Sequence, residues 1–316
     1  MNTKFRKTAR VLLALILAIG GLVVNRSRVS AAPVTINLCA VAGTATLTGS
    51  VTVPIWGFAL NPGDCSTAVA SLPGPVLDVN EGDTVTINVT NALPGTRTLR
   101  FEIPGINFDP GPTDATATAT VTRTFTAGAP GTYLYQSGGD AGRQAAMGLY
   151  GALIVRSATV GQAYDTGTTA YDVEALLVLS QVDPLFNAAP DTYSMYDYTA
   201  TYWLINGKAY PDTAPIIATA GQRVLLRYIN AGYDNTSMQL LGMHEQVLAR
   251  DARLLNNPFS ANAETIPAGG TEDAIATVPA GAAPSVNGFA LYNRQLHVTS
   301  GSPATPPGGM MTFIHP

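Results

Sequence analysis

Two decapeptides constrain this chain more than any other feature. Gly82-Asp83-Thr84-Val85-Thr86-Ile87-Asn88-Val89-Thr90-Asn91 and Gly221-Gln222-Arg223-Val224-Leu225-Leu226-Arg227-Tyr228-Ile229-Asn230 each run from a glycine to an asparagine over nine steps. Val85, Ile87 and Val89 alternate in the first, and Val224, Leu226 and Tyr228 hold the same phase in the second. Alternation of period two bounded by turn formers marks a half-buried strand. A Pro-bearing extended stretch precedes each block (Pro75-Val76-Leu77 and Pro215-Ile216-Ile217), and a glycine then an aspartate follow it, Gly105 and Asp109 or Gly242 and Asp251. The blocks lie 139 residues apart. That is too long for a solenoid period and points to a duplicated β domain.

Other segments have the same character. Ala115–Phe125 alternates small or apolar residues with threonine, with Arg123 breaking the apolar phase as at an edge or the end of a strand. Gly131–Tyr135, Leu149–Val155 and Ala175–Leu179 read as further strands, and Ala141–Met147 as one helical turn. The polar, Gly-rich stretch 156–172 is the expected linker. With 37 Thr against 3 Lys and 6 Glu, strand formers far outnumber charged helix formers, which excludes a coiled coil or helical bundle. A charged fraction of 12% beside 46% hydrophobic residues excludes a disordered chain. The fold class is all-β, with two tandem Greek-key sandwiches or barrels spanning 33–158 and 159–316.

Residues 1–32 read as an export signal. Lys4, Arg6, Lys7 and Arg10 precede an uninterrupted apolar stretch from Val11 to Val24, shorter than the ~20 residues a bilayer span requires. Val29-Ser30-Ala31 places small residues where a signal peptidase cuts. Arg26 and Arg28 keep an uncleaved anchor as the alternative, and no second apolar stretch is long enough to span a membrane. The chain is thus expected to be secreted, outside the cell or on its surface. Without the signal it carries 11 basic and 21 acidic residues, a formal charge of −10, which a nucleic-acid backbone would repel. Cys39 and Cys65 are the two cysteines, and in an exported chain the even count reads as a disulfide, with a pair of thiolate metal ligands as the alternative.

Residues 76–91, 131–155 (GTYLYQSGGDAGRQAAMGLYGALIV) and 202–230, with 242–251, Ala263–Pro267 and Gly308–Phe313, resemble the first two cupredoxin (plastocyanin-like) domains of multicopper oxidases. The resemblance implies copper-dependent oxidation, with His-x-His pairs and a cysteine flanked by histidines. The first pair would fall near Leu99-Arg100-Phe101-Glu102 and the second at Gln136-Ser137-Gly138, and neither stretch holds a histidine. Both cysteines lie upstream of every cupredoxin motif, and His244, His297 and His315 are the only histidines. Copper in such proteins needs imidazole, thiolate and thioether donors. The expectation is therefore a degenerate member without a complete copper site or a cofactor, a non-catalytic binding or structural module. The rivals are a copper-binding protein and a laccase-like oxidoreductase completed by a partner chain.

For copper binding the weak candidates are Met243 with His244 and Met310 with His315, although adjacent Met310 and Met311 on a strand would face opposite ways. His297, between Leu296 and Val298, is expected on a strand in a structural role. Glu102, Asp109 and Asp140 are loop carboxylates with only their acidity to recommend them for glycoside hydrolysis, and Asp109–Asp114 could donate oxygens to calcium. Asn88-Val89-Thr90 and Asn235-Thr236-Ser237 match glycosylation acceptors. Trp56 and Trp203 sit in apolar surroundings, and the run Tyr193, Tyr196, Tyr198, Tyr202 forms either packing between the domains or an exposed binding ridge, packing being the preferred reading. The expected partner is an extracellular protein or surface component, with a second copy of the chain as another.

Overall fold

Each repeated block becomes the strand on which its half of the molecule is organised. In the computed structural model, which describes residues 31–315 except 62, 112, 167, 282, 302, 303 and 305, the first block is the strand Thr84–Ala92. It pairs parallel with Pro33–Leu47 and antiparallel with Thr120–Thr126. The second block, Arg223–Asn230, pairs parallel with Val173–Val182 and antiparallel with Thr271–Thr277. The Pro-bearing stretches repeat as well: Leu77–Asn80 pairs parallel with Tyr150–Arg156, and Ile216–Ile217 with Met311–His315. The duplication is thus one of topology as well as of sequence. The predicted export segment lies outside the described residues except for Ala31 and Ala32.

The N-terminal half packs two four-stranded sheets face to face. One runs Val51–Leu60, Pro33–Leu47, Thr84–Ala92, Thr120–Thr126 in spatial order, the other Leu77–Asn80, Tyr150–Arg156, Gly131–Ser137, Phe101–Glu102. Val85, Ile87 and Val89 meet Leu77, Phe101, Tyr135 and Leu153 in the core between them. In the C-terminal half a six-stranded sheet (Tyr202–Ile205, Val173–Val182, Arg223–Asn230, Thr271–Thr277, Glu245–Arg250, Arg253–Ala261) covers a five-stranded one (Ile216–Ile217, Met311–His315, Phe289–Asn293, Thr236–Leu240, Ala263–Ile266). The disulfide forms between Cys39 and Cys65 and ties the first strand to the short helical turn Cys65–Thr67. No helix among the described residues is long and apolar enough to cross a membrane.

The two repeats differ in what covers their second face. Thr84–Ala92 alternates between buried and more exposed positions, as the sequence predicts. Arg223–Asn230 is buried along nearly its whole length. Its Leu225 packs with Ala163 and Tyr164, and its Ile229 with Leu134, Tyr150 and Ala152 of the other half. A strand covered on both faces loses the alternation that marks a half-solvated one.

Polar groups lock this junction. Arg227, with 1% of its side chain exposed, donates to Asp273 at 3.1 Å, Glu174 at 2.5 Å and Thr132 Oγ1 at 3.0 Å. Asp273 also accepts from Thr132 and Tyr164, each at 2.5 Å. Glu174 continues to Arg156 and Asp78 of the N-terminal half. Burial pushes Glu174 up, but hydrogen bonds and charge from Arg156 and Arg227 outweigh it and hold its carboxyl below the ordinary range. The stretch expected as a linker is therefore a packed clasp, because Tyr164 reaches into this network.

Two further expectations are corrected. Ala115–Phe125 is not one strand: Ala115 pairs with Leu99, Thr118 turns with φ +64°, and the strand starts at Thr120. Arg123 lies inside that strand, at the edge of its sheet, with its guanidinium over Phe108 and bonded to Thr113. His297 is not on a strand, since Phe289–Asn293 ends four residues earlier, and its ring stacks on Trp203 at 4.5 Å. The tyrosine run is mostly packing: Tyr193 and Tyr198 pack on the N-terminal core and Tyr202 is buried, while Tyr196 is fully exposed. Ala141–Met147 forms the expected helical turn.

Replacing Arg227 by Met strands buried Asp273, so unfolding stability should fall by roughly 3–5 kcal/mol. Arg253→Met, at an exposed position, should stay within about 0.5 kcal/mol. Urea denaturation of both variants measures this, and equal losses would contradict the role given to Arg227.

Candidate functional site

The two stretches at which the resemblance places copper ligands do meet in space. Phe101 and Glu102 pair antiparallel with Ser137 and Gln136. What they bring together is a set of hydrogen-bonded oxygens and amides. Gln136 Nε2 donates to Glu102 Oε1 at 2.9 Å. A Cβ built on Gly138 would lie 2.1 Å from Glu102 Oε2, so the carboxylate occupies the volume that any side chain at 138 would enter. Ser137 and Gln144, both buried, bond at 2.6 Å, and Gln144 Nε2 donates to the Thr98 carbonyl at 2.7 Å. Phe101 and Leu99 point into the core, and Arg100 pairs with Asp114 at 2.8 Å. Copper's preference for imidazole, thiolate and thioether finds one carboxylate, amides and a hydroxyl here, already bonded to one another. The residues do not fit the metal.

The weaker candidates separate by environment. Met243 and Met310 are buried in the core of the C-terminal half, and Met310 Sδ lies 4.0 Å from Asn293 Nδ2. His244 is exposed just before the strand Glu245–Arg250. His315 is exposed, with Nδ1 3.3 Å from the Asn287 carbonyl. Met243 turns inward where neighbouring His244 turns outward, so this pair does not share a face. Among the described residues no group of three or more His, Cys, Asp or Glu is placed to hold a metal ion. Of the oxygens proposed for calcium, those of Asp114 and Thr113 are engaged within the protein: Arg100 holds the Asp114 carboxyl below its ordinary range by hydrogen bonding, and Arg123 takes the Thr113 carbonyl and hydroxyl. Asp140 pairs with Arg143 at 3.6 Å, and Asp109 bonds Thr124 through its backbone. Asn88 Nδ2 donates to Asn37 at 2.8 Å, whereas Asn235 is exposed.

A cluster of acids escaped the reading of the sequence. Glu245, Glu264 and Glu272 share one guanidinium and one phenol. Arg250 bonds Glu264 at 2.7 Å and Glu272 at 2.9 Å, and Tyr228 donates to Glu245 Oε2 at 2.9 Å. Glu245 Oε1 is buried with no partner among the described residues. Burial pushes Glu245 up to about 7 against the pull of Tyr228, and Glu272 up to about 8 against that of Arg250. The signal was the placement of glutamates inside apolar strand patterns, at Glu245-Gln246-Val247-Leu248 and Thr271-Glu272-Asp273-Ala274.

Comparison with known proteins bears on the fold. Residues 64–159 match the multicopper oxidase family model. The blue copper oxidase from Nitrosomonas europaea is 23% identical, with a TM-score of 0.76 over 90% of this chain and 86% of that one. The copper nitrite reductase from the same organism is 21% identical, with a TM-score of 0.69 over 89% and 94%. A laccase from Botrytis aclada is 19% identical, with a TM-score of 0.69 over 90% of this chain and 53% of that one. No curated protein matches. The resemblance to multicopper oxidases read from the residues holds in the fold, that of two tandem cupredoxin-like β-sandwiches.

Because folding raises the pKa of Glu245 from 4.5 to about 7, its contribution to stability is full at low pH and is lost as pH rises through 7. Glu245→Gln should therefore shrink the fall in unfolding free energy between pH 5 and pH 8 by roughly 2–3 kcal/mol. Denaturant titrations at the two pH values give this difference. A variant whose pH profile runs parallel to that of the parent would contradict it.

Proposed function

We propose that this chain is an exported or cell-surface protein that retains the multicopper-oxidase scaffold without its copper chemistry and acts as a non-catalytic binding or structural module. The observation that carries the reading is the Glu102 carboxylate, seated where a side chain at position 138 would project and hydrogen-bonded there by Gln136. Restoring a ligand at 138 requires that carboxylate to leave. A vacant site would need only a metal. Copper carriage finds little support, because the thioethers of Met243 and Met310 are packed in the core.

Export accounts for the disulfide between Cys39 and Cys65, a bond that persists in oxidising surroundings. The reading takes 1–32 as the signal, 33–158 and 159–316 as the two domains, and an extracellular protein or surface component as the partner. A second copy of the chain is another such partner.

Titrating the chain lacking residues 1–32 with Cu(II) while recording visible absorption tests the proposal, together with an assay for dioxygen-dependent oxidation of a phenol. The expected result is neither a thiolate-to-copper charge-transfer band nor turnover above free Cu(II). An intense band accompanied by turnover would overturn it.

A further inference from the structure

A cavity of about 330 Å³ lies where the helical turn around Ala141 of the N-terminal half meets Met195, Tyr198 and the Tyr233-Asp234 turn of the C-terminal half. That volume is at the lower end of the range of about 300–1,000 Å³ that small-molecule sites occupy. The Tyr198 and Tyr233 rings stand edge to face, their centroids 5.3 Å apart. Both hydroxyls are engaged away from any ligand: Tyr233 donates to the Gly142 carbonyl at 2.6 Å and Tyr198 to the Gln181 carbonyl at 3.1 Å. The rings are thereby fixed in position and offer the cavity their hydrocarbon and π surfaces.

Two polar side chains stand in the wall. Gln181, only 7% exposed, lines the cavity and brings a side-chain amide to its wall. Asp234 is exposed, with no ion-pair partner among the described residues. The nearby cation, Arg143, is engaged by Asp140 and by the carbonyls of Pro190 and Tyr193. The uncompensated charge at the cavity is negative.

We propose that this cavity binds a small aromatic ammonium ion, which deepens the reading of the chain as a binding module and rests on it. The ammonium group pairs with Asp234, the ring packs against Tyr198, Tyr233 and Met195, and the Gln181 amide takes a polar substituent or the ammonium N–H. Tyrosine faces attract a cation through the ring quadrupole, and desolvation strengthens that attraction. A carboxylate ligand would meet Asp234 without a free cation to offset it.

Calorimetric titration of the full chain lacking residues 1–32 tests this with three probes of one shape: phenethylamine, 2-phenylethanol and phenylacetate. The amine should bind with a Kd below about 1 mM, the alcohol about tenfold more weakly, and the acid not at all. Asp234→Asn, at an exposed position, should weaken the amine by about tenfold and leave the alcohol unchanged. Gln181→Leu should weaken both. Equal binding of amine and acid, no heat from the amine, or amine binding indifferent to Asp234→Asn would each overturn the proposal. A copper band in the earlier titration would instead remove the non-catalytic reading, so the two failures are told apart.

Discussion

The buried Arg227 guanidinium holds the architecture together. It sits on the strand that the second repeat forms, with Asp273 and Glu174 of its own half on either side and Thr132 of the other half above it. A charge this deeply buried is tolerable only when its donors are satisfied and its field is met by opposite charge. That requirement fixes how the N-terminal sheet lies on the six-stranded one, and Tyr164 brings the connecting segment into the same bond set. The cavity at Tyr198 and Tyr233 depends on this registry, because its walls come from both halves.

The scaffold and the chemistry of the site have separated in this chain. Strand pairing delivers residues 101–102 to residues 136–137, the two stretches at which the resemblance places copper ligands. Side-chain chemistry then closes the site: a carboxylate takes the space beside Gly138, and Ser137 and Gln144 satisfy each other. Such bonds are strong inside a protein, where water does not compete for them. These polar residues therefore stabilise the fold at the place where the resemblance puts metal ligands.

How much could be read from the sequence followed from how local each determinant is. Alternation in Thr84–Ala92 was legible because one face meets water, and the disulfide because two cysteines leave one pairing. Arg223–Asn230 hid its second buried face, since nothing in its own residues states that another sheet covers it. The turn at Thr118 and the loop that holds His297 against Trp203 broke patterns that looked like continuous strands. The absent histidines were visible at once, whereas the carboxylate that fills the space beside Gly138 was visible only when Glu102 and Gly138 were seen side by side. The cavity draws on positions 141, 181, 195, 198, 200, 233 and 234, which no window of sequence joins, and Tyr198 of the tyrosine run was its one local trace.

Crystals of the chain soaked in Cu(II) and measured at the copper absorption edge test the central claim most directly. The account predicts no anomalous peak among Glu102, Gln136 and Gly138, with the Glu102–Gln136 hydrogen bond intact. An ordered copper ion there, with Glu102 swung out of the space beside Gly138 and three or more side chains at bonding distance, would contradict it.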